Sequence, residues 1–170
     1  HDCGDDTDGR AGEGVAGTGK YGFYTEAANV NGGGGSYVNA DNGGDPAGGG
    51  GYGTPGQDSS ETEEGGWAYG TADLEYMIFG GGGGTGSDND NTLPHPEYSN
   101  GGGIAYIAAN TITNLSIHAQ GRDGITPCSS ETKAQSGGGA GGTIYLRSPS
   151  IDIWEANASG GTGIYEACSS

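Results

Sequence analysis

Residues 102–125 read GGIAYIAANTITNLSIHAQGRDGI, and 39 residues further on, residues 141–164 read GGTIYLRSPSIDIWEANASGGTGI. The two stretches align without a gap. Gly102/Gly141, Gly103/Gly142, Tyr106/Tyr145, Ile112/Ile151, Ala119/Ala158, Gly121/Gly160, Gly124/Gly163 and Ile125/Ile164 are identical. Glycine identities count for little in a glycine-rich chain. The shared phase of the apolar positions counts for more, because Ala105/Ile144, Ile107/Leu146, Leu115/Trp154 and Ile117/Ala156 also keep their class.

Within each copy the apolar residues alternate, the mark of half-buried strands. Ala105 and Ile107 share one face with Tyr106 opposite; Leu115, Ile117 and Ala119 share one face with Asn114, Ser116 and His118 opposite. In the second copy Ile144, Leu146, Trp154, Ala156 and Ala158 are expected inside, with Tyr145, Arg147, Glu155 and Asn157 outside. Phase changes near Thr113 and Asp152 predict a corner or a bulge. Two or three short strands per repeat, each ending at glycines, predict an all-β fold without substantial helix. Its architecture is expected to be β-solenoid-like or a related layered β-structure with glycine-rich, polyproline-II-like extended segments.

Working outward, glycine runs at 32–35, 48–51, 80–84, 101–103 and 137–139 punctuate the chain. A flexible linker is the plain reading of each run. Aromatic or β-branched residues after most of them favour packed strands instead, since chains without side chains approach closely and hydrogen-bond laterally. Fainter copies of the repeat opening stand at Gly65-Gly66-Trp67-Ala68-Tyr69 and Gly34-Gly35-Ser36-Tyr37-Val38. Leu74-Glu75-Tyr76-Met77-Ile78-Phe79 reads as a buried strand, and Pro94 and Pro96 exclude helix around His95. Residues 1–20 are acidic and glycine-rich and predict an extended N-terminal segment. Residues 21–170 form a single glycine-rich β-repeat domain in this reading.

Gly is 41 of 170 residues and only 31% are hydrophobic, so a core of large side chains is thin. Ten Tyr, two Trp and the alternating strands argue for order against the disorder such a composition otherwise implies. The formal net charge of −17 with five basic residues argues against nucleic acid and anionic membrane surfaces as partners. No apolar run is long enough to insert in a membrane. The start at His1 predicts a processed or excised chain. Three cysteines, Cys3, Cys128 and Cys168, leave one over in any intrachain pairing. Three pairings are open; stacking of neighbouring copies would bring Cys128 and Cys168 together and leave Cys3 free or bonded to another chain.

The candidate sites are few. Asn114-Leu115-Ser116 and Asn157-Ala158-Ser159 are acceptors for N-linked glycans in a secreted eukaryotic chain, and both asparagines fall on the outward parity. Asp5, Asp6 and Asp8, and Asp88 and Asp90, are clustered oxygen ligands for Ca²⁺; neither run has EF-hand spacing, and a solvated acidic turn is the plainer reading. Glu61, Glu63 and Glu64 form a charge run without the opposed placement glycoside hydrolysis needs. Arg122 and Asp123, in a turn, are the acid–base pair a β-helix polysaccharide lyase would use. His1, with His95 or His118, has the residue types of a copper-dependent monooxygenase centre, but the glycine repeats do not match that family. No nucleophilic triad, zinc spacing or phosphate loop is present, so no enzyme is expected.

The opening GG-x-[IA]-Y-[IL] with its spaced Ile and closing glycines resembles the glycine-rich β-repeat regions of secreted surface, adhesin-like and fibre-forming proteins. Its polyglycine blocks are similar in composition to those of phage tip adhesins and of the extracellular glycine-rich region of anaplastic lymphoma kinase. The resemblance implies an extracellular or cell-surface location and carries no catalytic residue. Together with stackable repeats, an extended N-terminal segment and an odd cysteine, it leads to a structural subunit that self-assembles into a fibre or surface layer. The other readings are a carbohydrate-binding adhesin, through outward Tyr106, Tyr145, Tyr52 or Tyr69, and an ice-binding protein.

Overall fold

The computed structural model describes residues 34, 47–58, 65–69, 73–75, 77–85, 99–124 and 136–163. Among them there is no helix, and four short strands form two separate sheets. Strand β1 (Ile104–Ala108) pairs in parallel with β3 (Thr143–Arg147), and β2 (Ile112–His118) pairs in parallel with β4 (Ile151–Asn157). Each repeat is therefore an arch. Its two arms do not pair with each other; each arm pairs with the same arm of the other repeat.

The 39-residue offset of the sequence repeat is the register of the sheets. Ile104 stands opposite Thr143, Tyr106 opposite Tyr145 and Ala108 opposite Arg147 without a break. In the second sheet Ile112 faces Ile151, then Leu115 faces Ile153, then Ser116 faces Glu155. One strand gains a residue and the other gains it back, so there is a bulge in each. Asn114 marks the first with a φ of 51°, a left-handed conformation that asparagine tolerates better than most residues. Trp154 is skipped at the second.

Parity holds in the first copy. Ala105 and Ile107 are half-buried where Tyr106 is exposed; Leu115 and Ile117 are half-buried between exposed neighbours, and Ala119 is buried. In the second copy it holds for Ile144, Leu146 and Arg147 in β3, whereas Tyr145 is half-buried rather than outward, and it fails in β4. Trp154, expected inside opposite Leu115, is 81% exposed, and Ala156 and Ala158 are exposed as well. Two physical reasons act together: Trp154 is the unpaired residue of a bulge, and no described segment covers β4. The apolar pattern of β4 repeats that of β2, and among the described residues no layer buries it.

Below the sheets the chain packs backbone against backbone. Residues 136–143 are buried throughout, and the largest fully buried side chains are Thr143, Ser99 and Ser136. Five segments hydrogen-bond to residues 136–142: 48–51 (Gly50 N to Gly138 O, 2.9 Å), 80–84 (Gly137 N to Gly84 O, 3.0 Å), 99–102 (Gly102 N to Ala140 O, 2.7 Å), 119–122 (Gly139 N to Arg122 O, 2.9 Å) and 158–161 (Gly161 N to Gly139 O, 2.7 Å). The bonds recur every third residue. Gly137 and Ala140 both donate to the 80–84 segment, Gly139 and Gly142 to 119–122, and Gly81 and Gly84 to 48–51.

This closeness is what glycine permits. A Cβ on Gly139 would lie 2.1 Å from the Asn100 carbonyl oxygen, and one on Gly101 1.8 Å from that of Gly80. Each lateral bond contributes about 0.5–1.5 kcal/mol net, against the large entropy that ordering glycine costs. The balance therefore needs neighbours on several sides, and 136–142 has them. The only large aliphatic among the buried described hydrophobics is Ile112.

Candidate functional site

Three features stand out on this frame. The first is the outer side of the β2–β4 sheet. Six of the seven residues of β4 are exposed, among them Ile151, Ile153 and Trp154. β2 and β4 form a two-stranded sheet, so each strand has one backbone edge without a strand partner among the described residues. A short parallel sheet of two strands is marginal alone, and an exposed apolar edge strand is a template for pairing.

The second is a tyrosine cluster where the glycine segments enter the sheets. Tyr52 and Tyr69 meet edge to face, with centroids 5.4 Å apart at 64°, and their backbones are joined by Tyr69 N to Tyr52 O at 2.9 Å. Thr143 Oγ1 donates to the Ile78 carbonyl at 3.1 Å, which leaves the Tyr52 hydroxyl to donate to Thr143. The Tyr69 hydroxyl donates to the Phe79 carbonyl oxygen. Burial first, and the neighbouring Tyr52 second, push the Tyr69 pKa from 10.0 up to about 12. These tyrosines are tied into the frame by their polar ends, whereas Tyr106 is 53% exposed and stacks on Tyr145.

The third is a groove of about 740 Å³ along the side of the glycine bundle, between residues 47–58 and 158–163, with 136–141 as its floor. Its floor and one wall are glycine and alanine apart from Ser136, and the other wall also carries Tyr52, Thr54, Pro55, Gln57 and Asp58. The runs of consecutive glycine carry no sequence signal for it; the three-residue period is one of hydrogen bonds and emerges only when the segments pack.

The residues singled out in the sequence fall apart in space. Asn114 is exposed at its bulge. Asn157, expected fully outward, is half-buried, and its Oδ1 accepts from Ser159 N at 3.0 Å, inside its own glycan acceptor motif. Asp123 Oδ1 accepts from Thr162 N at 2.7 Å, and Arg122 bonds through its backbone to Asn100 and Gly139; both ends of that pair serve the bundle. His118 Nε2 lies 3.2 Å from Ser116 Oγ and 3.7 Å from Glu155, all on the exposed side. Cys3, Cys128, Cys168, Asp5, Asp6, Asp8, Asp88, Asp90, His1, His95 and the run Glu61, Glu63, Glu64 lie outside the described residues. Among the described residues no cluster of three His, Cys, Asp or Glu side chains is placed to hold a metal ion, and no helix is long and apolar enough to cross a membrane.

Comparison with family models, with characterised proteins and with solved structures finds no match to this chain.

Proposed function

We propose that this chain is a structural subunit of an extracellular fibre or surface assembly, built by continuing its own repeat stack from copy to copy. The observation that carries the reading is the exposure of β4, with Ile151, Ile153 and Trp154 along it. β4 already pairs in parallel with a strand of the same repeat type, β2. The unpaired edge of β2 on a second copy offers β4 the same kind of partner. Such a contact joins two different surfaces, head to tail, and a repeated operation of that kind builds a filament or an open layer. In this reading each chain is two turns of a longer β-solenoid-like stack, held by a polyproline-II-like glycine bundle whose bonds recur every three residues. The acidic charge keeps isolated copies apart in solution and makes association depend on cations.

The test is particle size by light scattering and electron microscopy over a concentration series, with and without Ca²⁺. Elongated or layered particles that grow with concentration support the reading. A chain that stays monomeric throughout overturns it.

A second reading rests on Tyr106. One face of its ring is stacked on Tyr145 while the residue stays half-exposed, an arrangement suited to stacking against a sugar ring. Glycan binding by a monomeric chain, lost in Tyr106→Ala, favours this adhesin reading over the fibre.

A further inference from the structure

The described residues hold four tyrosines, which meet as two pairs of different geometry. Tyr52 and Tyr69 meet edge to face at 64°. Both of their hydroxyls are engaged inside the frame, on Thr143 Oγ1 and on the Phe79 carbonyl oxygen. Tyr106 and Tyr145 lie ring over ring, 9° from parallel, with centroids 5.4 Å apart. Among the described residues no hydrogen bond ties down either of these two hydroxyls.

Register explains the second pair. Tyr106 and Tyr145 are direct partners in the parallel pairing of β1 with β3. Parallel strands run in the same sense, so identical side chains at partner positions leave their strands in the same direction. The ring carbons beside one hydroxyl therefore lie next to their counterparts on the other ring. Tyr106 is exposed and Tyr145 half-buried. An oxidant in solution reaches the pair, and the outer ring has room to turn.

We propose that Tyr106 and Tyr145 are a site of oxidative cross-linking, joined within one chain as a dityrosine by a peroxidase that consumes hydrogen peroxide. Each phenol gives up one electron and its hydroxyl proton. The unpaired spin of the phenoxyl radical spreads to the carbons beside its oxygen. One such carbon of Tyr106 bonds to one of Tyr145. Each of the two carbons then loses its hydrogen as a proton, each oxygen takes a proton back, and both phenols are restored. The balance is two C–H bonds broken, one C–C bond formed, and two hydrogens passed to one peroxide, which leaves as two waters.

Placement selects this pair among the ten tyrosines of the chain, because groups held in contact react as if at very high concentration. Tyr52 and Tyr69 are equally close, but their bonded hydroxyls hold the rings edge to face. The new bond ties one repeat to the other across 39 residues of sequence. Closing that loop restricts the unfolded chain and so stabilises the stack of the two repeats.

The cross-link does not depend on the fibre reading, since it joins two residues of one chain. The test treats the full chain, dilute, with a peroxidase and limiting hydrogen peroxide. An equal mixture of isotope-labelled and unlabelled chains separates bonds within a chain from bonds between chains. Intact mass is expected to fall by two hydrogens. Trypsin cuts at Arg122 and Lys133, between the two tyrosines, and is expected to leave peptides joined through Tyr106 and Tyr145 that carry one isotope label. Dityrosine fluorescence falls about tenfold in Tyr106→Phe and in Tyr145→Phe, which keep stacked rings, and stays within about twofold of wild type in Tyr69→Phe. The cross-linked chain melts at a higher temperature than the untreated chain. Bonds scattered over the other tyrosines overturn the proposal, as does an unchanged melting temperature. Joined peptides that mix the labels also overturn it, because they place the bond between copies.

Discussion

The rings of Tyr106 and Tyr145 are stacked, with centroids 5.4 Å apart and planes 9° from parallel, because the two residues are register partners in the parallel pair of β1 and β3. Identical residues at one repeat spacing meet face to face when the repeats stack in register. A double-mutant cycle with Tyr106→Ala and Tyr145→Ala is expected to give a coupling of about 0.5–1.5 kcal/mol in urea unfolding. A coupling near zero shows that the rings do not meet in solution.

The glycine bundle predicts opposite outcomes for the same substitution at two sites. Gly139→Ala puts a methyl group 2.1 Å from the Asn100 carbonyl oxygen in a fully buried segment, at a cost on the order of 3 kcal/mol. Gly53→Ala meets nothing within 4 Å. There the loss of unfolded-chain freedom is expected to stabilise by about 0.4–1 kcal/mol. Thermal unfolding of the two variants checks both signs.

Asn114 sits at a φ of 51° in the bulge of β2. Asn114→Gly is expected to keep full stability, while Asn114→Val loses about 1–2 kcal/mol because a branched side chain clashes in the left-handed region. Equal stability of the two variants removes the bulge from the solution structure.

Tyr69 sets an alkaline limit. Its pKa is raised from 10.0 to about 12, by burial and then by Tyr52. Above pH 10 the unfolded chain releases this proton while the folded chain keeps it. The stability linked to this group is therefore fully present below pH 10 and falls as pH rises from 10 through 12. Denaturant midpoints at pH 8 and pH 11 are expected to drop further in the wild type than in Tyr69→Phe, and the difference isolates this residue.

The open edge of β4 is tested by charge. Trp154→Glu with Ile153→Lys changes two exposed residues and is expected to leave urea unfolding within about 0.5 kcal/mol of wild type while reducing particle size in light scattering. Unchanged particles move the contact between copies to another surface.

The 39-residue repeat, its register and the alternation in β1 and β2 were legible in the sequence because strand pairing between like segments preserves phase. The exposure of Trp154, Ala156 and Ala158 was not. Alternation reports which side a residue faces, and whether anything covers that side is decided by a segment elsewhere in the chain. Asn157 was assigned outward by the same parity, yet its side chain turns back to its own backbone at Ser159, a local bond that parity does not register. Asn114 was placed outward correctly and the bulge beside Thr113 was expected, but the second bulge falls at Trp154 rather than near Asp152, because the pairing with β2 decides where β4 loses phase.

By itself the sequence determined that glycine segments would alternate with short parallel-stacking strands, because only residues without side chains tolerate carbonyl oxygens near 2 Å from a Cβ position. Tertiary structure alone decided which segment became the centre. Residues 136–142, SGGGAGG, have nothing in their sequence that sets them above the other glycine runs, yet five segments surround them. Their place follows from the directions of donors and acceptors repeating every three residues, a property of the assembled bundle that no single run of glycines displays.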